Sequence, residues 1–227
     1  MSNDRPHAAI AIDGPAASGK STVARELARR LGLSMVNSGE MYRAVTLVVV
    51  RRGIDPADRP AVVTMLSDLV LQCGVQGGSS YVLLSGENPG AALRGEDVNA
   101  AVSLVAAVPE VRDLLVARQR ELLSLGDLVM EGRDIGSVVF PDTPYKLYID
   151  ASEEVRRQRR AAEGQKDEVT ARDRQDAARR TSPLVVADGA VVIDSSTMSI
   201  EEVVEEALTT LRNLGWCDRS SPTHPEP

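Results

Sequence analysis

Hydrophobic residues along this chain gather into short continuous runs, each closed by glycine, proline or polar residues. The first, residues 8–13, ends at Gly14-Pro15 and reads as a strand buried on both faces. Over residues 21–31 the period changes. Val23, Leu27 and Leu31 recur at helical spacing, and Gly32 is placed to end the helix. Residues 34–37, 128–130, 146–150 and 190–194 repeat the strand pattern, and helical patterns at 111–123 and 200–214 separate or follow them. Strands alternating with helices predict an α/β fold, a central parallel sheet of five strands with helices on both faces.

The stretch 55–107 interrupts this rhythm. It carries glycine-rich, strand-like pieces at 74–78 and 81–86 and a turn at Asn88-Pro89-Gly90, which predict an inserted subdomain with a small antiparallel sheet. The domain reading is therefore a core formed by 8–36 and 108–215, an insert at 37–107, and a proline- and serine-rich disordered tail at 216–227. The longest apolar run, 44–50, is followed at once by Arg51 and Arg52 and falls far short of the ~20 residues of a membrane-spanning helix. Residues 1–6 have no apolar core of the signal-peptide kind, and Cys73 and Cys217 lack paired spacing, so a reducing cytoplasm is the expected compartment.

With 43% hydrophobic residues among 227, the chain can bury a real core. A net charge of −7 argues against a nucleic-acid polymer as partner, and 3% aromatics argue against a base-stacking platform. Both histidines, His7 and His224, lie near the termini, away from any predicted site.

The chemistry concentrates after the first strand. Gly14-Pro15-Ala16-Ala17-Ser18-Gly19-Lys20-Ser21 fits G-x-x-x-x-G-K-[ST] between a predicted strand and a predicted helix. Its glycines let backbone N–H groups close around phosphate oxygens at a helix N-terminus. Lys20 is placed to neutralise the β- and γ-phosphates, and the Ser21 hydroxyl to ligate Mg²⁺. No aspartate is followed three residues later by glycine and no Asn-Lys pair occurs, so the signals of a GTPase are missing.

Two further segments follow predicted strands, Asn37-Ser38-Gly39-Glu40-Met41-Tyr42-Arg43 and Glu131-Gly132-Arg133-Asp134. Loops at the carboxyl edge of an open parallel sheet converge where ligands bind. Arg43 and Arg133 are therefore expected to face the phosphate loop and fork onto a second phosphate. Arg156, Arg157, Arg159, Arg160, Arg172, Arg174, Arg179 and Arg180 crowd a later tract, read as a short lid over 156–172 with its tip at 163–169.

In combination these residues resemble the bacterial cytidylate kinases, nucleoside-monophosphate kinases among P-loop proteins. The resemblance rests on the segments from Gly14 to Thr22, Ser38-Gly39-x-x-Tyr42-Arg43, Glu131 to Pro141, and Ser103 to Arg112. Arg172-Asp-x-x-Asp176-x-x-Arg179, Ser182-Pro-Leu and Ile193-Asp-Ser-Ser-Thr add to it. It implies ATP as donor, Mg²⁺ as cofactor, CMP and dCMP as acceptors, a monomer, an acceptor-binding subdomain and a lid. Ser38, Tyr42, Arg43, Ser103, Arg112, Arg133, Asp134, Arg172, Asp176 and Arg179 would then meet the acceptor nucleotide. Among them Ser103, Arg112 and Asp134 fall to the cytosine, Arg172 and Asp176 to the ribose, and Arg43, Arg133 and Arg179 to the phosphate. Arg159 and Arg160 match lid positions beside ATP, and with Lys20 and Arg133 they form the expected catalytic set. The residues alone leave UMP or another small acceptor open, as well as an ATP-binding switch. They also leave Asp134 two roles, contact with the base or orientation of Arg133.

Overall fold

The computed structural model describes residues 6–162 and 184–217. Strands β1 (Ala9–Asp13), β2 (Ser34–Asn37), β5 (Leu128–Gly132), β6 (Lys146–Asp150) and β7 (Val191–Asp194) are the five runs expected from the sequence. They stand parallel in the order β2-β5-β1-β6-β7. A hairpin, β3 (Leu71–Gln76) and β4 (Ser79–Leu84), extends this sheet to seven strands among the described residues.

Side chains of the central strands alternate between two apolar layers. Ala9 and Ala11 of β1 face one cluster while Ile10 and Ile12 face the other, and Leu128 and Met130 of β5 are likewise split from Val129. This period of two, with both faces covered, is why the sequence showed unbroken apolar runs. The first layer is closed by α2 (Ser38–Arg51), α4 (Glu96–Val105) and α5 (Pro109–Leu122), and the second by α1 (Lys20–Leu31) and α7 (Ile200–Asn213). The apolar run 44–50 belongs to α2, where Ala44, Val45, Leu47 and Val49 are buried.

Local signals bound several of the helices, and Gly32 ends α1 as expected from the sequence. Gly32, at φ 65°, closes α1 in the left-handed region, and its N–H turns back to carbonyls of the last turn. Ser199 and Glu202 form a reciprocal capping box at the start of α7. Helix α3 (Arg59–Leu66) begins with the Asp58 carboxylate accepting from the Ala61 N–H.

The insert departs from the expected boundaries. Its hairpin turns at Gly77-Gly78, with φ 59° and 77°, so the strands lie on either side of those glycines and not at 74–78 and 81–86. Gly74 lies inside β3 opposite Tyr81, whose ring covers the space a side chain at 74 would fill. The hairpin is no separate sheet, because β4 joins β2 through the pair Met35–Ser79 and the bond from Met35 N–H to Gly78 O (2.9 Å).

Candidate active site

The phosphate loop leaves β1 through Gly14, at φ 151°. A Cβ there would lie 2.1 Å from the Ile149 carbonyl oxygen, so glycine is required by the close approach of β6. Ala17, at φ 59°, is one of two described non-glycine residues in the left-handed region, a local strain of the kind held at binding loops. Gly19, also left-handed, opens α1 without a side-chain cap, which leaves the helix N-terminus to the ligand side. The buried Lys20 amine donates to the Pro15 carbonyl (3.0 Å) and lines the cleft.

That cleft, of about 360 Å³, is lined by Ala16, Ala17, Gly19, Lys20, Ser21 and Thr22. The same space is lined by Ser38, Tyr42, Arg43, Ser103, Arg112, Arg133 and Asp134, and by Arg160. Residues from five separate segments of the sequence thus meet around one space.

Two of these lining residues are buried charges. Arg112 (3% exposed) forms an ion pair with Asp134 (4% exposed) through Nη2, while its Nη1 donates to the Ala106 carbonyl (3.1 Å). Its guanidinium also lies 5.4 Å from the centre of the Tyr42 ring. Arg133 points the other way, donating to the Gly14 carbonyl (3.0 Å) and so tying the Gly-Arg-Asp segment to the phosphate loop. Ser38 donates to the Glu131 carbonyl (2.7 Å), which joins the start of α2 to the end of β5.

A further buried charge is Asp13, the last residue of β1, bonded to the two residues that follow Asp134. Its two carboxylate oxygens accept from the Ile135 and Gly136 N–H groups (2.8 and 2.7 Å). These N–H groups open a wide turn, Ile135–Val139, in which the Val139 and Phe140 N–H groups reach back five residues. Such π-type turns recur at functional sites. Burial pushes the Asp13 carboxyl up to about 6, against the pull of the two N–H donors.

The arginines expected at the lid divide. On helix α6 (Glu153–Ala162), Arg159 donates to the Ser18 carbonyl (3.1 Å), the Ser195 hydroxyl (3.0 Å) and the Ser195 carbonyl (2.8 Å). Arg156 reaches the Ala16 carbonyl (3.3 Å). Both therefore brace the outer carbonyls of the phosphate loop, and of the pair Arg159 and Arg160 it is Arg160 that lines the cleft. Gly14, Pro15 and Ser18 shape the loop from outside the cleft lining. Arg172, Asp176 and Arg179, the expected lid tip at 163–169 and the expected tail beyond residue 217 lie outside the described residues.

The sequence model of the family described as Cytidylate kinase matches residues 10–213. The chain belongs to this family. It is 46% identical over 211 residues to the cytidylate kinase of Rhodococcus opacus (strain B4), covering 88% of this chain and 92% of that protein. The cytidylate kinases of Geobacillus kaustophilus (43% over 210 residues) and Pseudomonas aeruginosa (41% over 220 residues) match 88% and 91% of this chain, and 94% and 96% of their own lengths.

Beyond the expected set, the cytidylate kinase cleft of this chain includes Arg25, Asn37, Glu40, Arg94 and Glu131. Glu131 is the most telling, because its buried carboxylate accepts from the Ser21 hydroxyl (2.7 Å). The sequence carried a signal for it: an acidic residue stands next to last in β5, the strand that pairs with the one leading into the phosphate loop. Arg25 and Arg94 have no motif of their own, and their place follows from the way α1 and the Gly90–Arg94 turn flank the opening.

Proposed function

We propose that this chain transfers the γ-phosphoryl group of ATP to the phosphate of CMP and dCMP, giving the diphosphates. The observation that carries this reading is the shared cleft, lined both by the phosphate loop and by the cations Arg43, Arg112 and Arg133 beside Ser103 and Asp134. The acceptor phosphate is already an anionic nucleophile, so the site needs no general base. In-line positioning and charge neutralisation supply the catalysis. Lys20 holds the donor phosphates, Arg43 and Arg133 hold the acceptor phosphate, and Arg160 adds a cation at the lid side. By the same reading, Arg172 and Asp176 take the ribose and Arg179 the phosphate.

The base is read by the Arg112–Asp134 pair with Ser103. Cytosine offers an amino donor beside two acceptor atoms, which a carboxylate next to a guanidinium and a hydroxyl complements. Uracil turns a carbonyl oxygen toward the carboxylate and leaves both groups unsatisfied. The Arg112–Asp134 ion pair supports the reading in which Asp134 meets the base.

Ser21 and Glu131 suit a divalent cation, since a hydroxyl and a carboxylate oxygen 2.7 Å apart are the hard oxygen donors Mg²⁺ takes. Bound with ATP, Mg²⁺ neutralises charge on the β- and γ-phosphate oxygens. Residues 37–107 serve as the acceptor-binding subdomain. We place the protein in the cytoplasm as a monomer; no helix among the described residues is long and apolar enough to cross a membrane. Initial rates of ADP release with CMP, dCMP, UMP, AMP and shikimate test the proposal. CMP and dCMP should lead by a wide margin, and a faster rate on any other acceptor would overturn it.

A further inference from the structure

The acceptor-side cation Arg43 has to present its guanidinium at a fixed angle, because bidentate grip on a phosphate depends on the plane of the fork. Arginine is long and rotamer-rich, so something must hold it. In this structure the Nη1 group is gripped from behind by two acceptors, the Leu93 carbonyl (3.0 Å) and the Asn99 side-chain oxygen (2.7 Å).

Asn99 is half-buried near the start of α4, where its backbone N–H donates to Gly95 O (2.9 Å), the first bonded turn of the helix. Its side-chain amide then spans two elements. The oxygen accepts from Arg43 on α2, and the nitrogen donates to the Arg94 carbonyl (3.0 Å) at the end of the Gly90–Arg94 turn. The amide's orientation follows from its partners, since a guanidinium only donates and a carbonyl only accepts. Arg43 and Arg94 both line the cleft, so this single amide references one cleft arginine to the backbone of another.

We propose that Asn99 is a positioning residue for the acceptor phosphate, orienting Arg43 without discharging it; this rests on the reading of Arg43 as a phosphate ligand. The neutrality of the amide is the key point. A carboxylate at position 99 would give Arg43 an equally good acceptor but would cancel its charge and compete with the incoming phosphate. An asparagine accepts from the guanidinium without adding a negative charge beside it.

Kinetics of Asn99→Ala, Asn99→Asp, Arg43→Ala and the double variant Asn99→Ala/Arg43→Ala in the full chain test this. Asn99→Ala should raise KM for CMP roughly tenfold, the loss expected for one charge-assisted hydrogen bond, with KM for ATP unmoved and kcat changed less. In the Arg43→Ala background the same substitution should change nothing further. Asn99→Asp, close to isosteric, should also raise KM for CMP, and the rise should shrink as ionic strength increases. If Arg43→Ala raises KM for CMP while both Asn99 variants leave it alone, the inference is overturned and the phosphate role of Arg43 stands. If Arg43→Ala itself leaves KM for CMP unchanged, the reading of the acceptor site fails and Asn99 falls with it. Should Asn99→Ala not fold, the Asp variant decides alone, and an unchanged KM at low salt refutes the proposal.

Discussion

At the scale of single residues, the site works by placing charges that have little freedom to move. Lys20 faces the cleft, held by the Pro15 carbonyl, so Lys20→Ala should remove one positioned cation with little change to the fold. Such groups contribute ~3–4 kcal/mol to a transition state, so turnover should drop by about 10²–10³-fold. A variant that keeps more than about a tenth of wild-type turnover would exclude Lys20 from the chemistry. Glu131→Gln tests the cation site separately, because it removes the carboxylate charge next to Ser21 while keeping its shape. The Mg²⁺ concentration for half-maximal rate should rise about tenfold or more with KM for CMP little changed. An unchanged Mg²⁺ dependence would mean Glu131 has no part in holding the ion. Lys20 and Ser21 were legible in the sequence because a contiguous motif carries them. Glu131 and Asn99 were not singled out, since their meaning comes from partners 110 and 56 positions away.

At the scale of elements, β1 does two jobs through its last residue. Asp13 delivers the chain into the phosphate loop and, through two N–H bonds, fixes the turn that follows Arg133 and Asp134. It does so while buried, near Asp134 and Lys20, with its carboxyl raised from 3.8 to about 6. The sign follows from that direction. A raised carboxyl favours the folded state below its ordinary value of 3.8, and that contribution is lost as pH rises through about 6. Ionised Asp13 therefore costs the fold about 3 kcal/mol at neutral pH, a burden of the kind functional sites carry. Asn at position 13 carries no such charge. From pH 4 to pH 7 the stability of Asp13→Asn, measured by urea unfolding, should gain on wild type by about that amount. Its kcat should fall roughly tenfold, because an amide oxygen cannot serve both N–H donors as a carboxylate does. A stability difference that is flat with pH would show that Asp13 is not held in this environment. The five parallel strands were readable because apolar runs bounded by glycine, proline or polar clusters mark strands covered on both faces. The hairpin boundaries were not, since Gly74 looks like a turn residue until Tyr81 is seen to cover it.

At the scale of the whole molecule, the sheet's carboxyl edge brings together a donor side and an acceptor side that are far apart in the chain. Sequence reading expected the loops after the parallel strands to converge at that edge, and their residues line one cleft in this structure. It could not supply which buried partner each cation takes, because Arg112 with Asp134 and Arg133 with Gly14 are tertiary pairings. The family assignment and the pairing of Arg112 with Asp134 meet in one claim, that phosphoryl transfer here is gated by recognition of the cytosine amino group. The direct measurement is kcat/KM for CMP and for UMP, by ADP release, on wild type and on Asp134→Asn. A site built around a required donor can favour it by up to roughly 10⁴-fold, so the wild type should prefer CMP strongly. In the variant an amide replaces the carboxylate and can donate to the uracil oxygen, and the preference should narrow by at least about tenfold. Equal ratios in the two proteins, or ADP release that CMP does not stimulate in the wild type, would contradict the account.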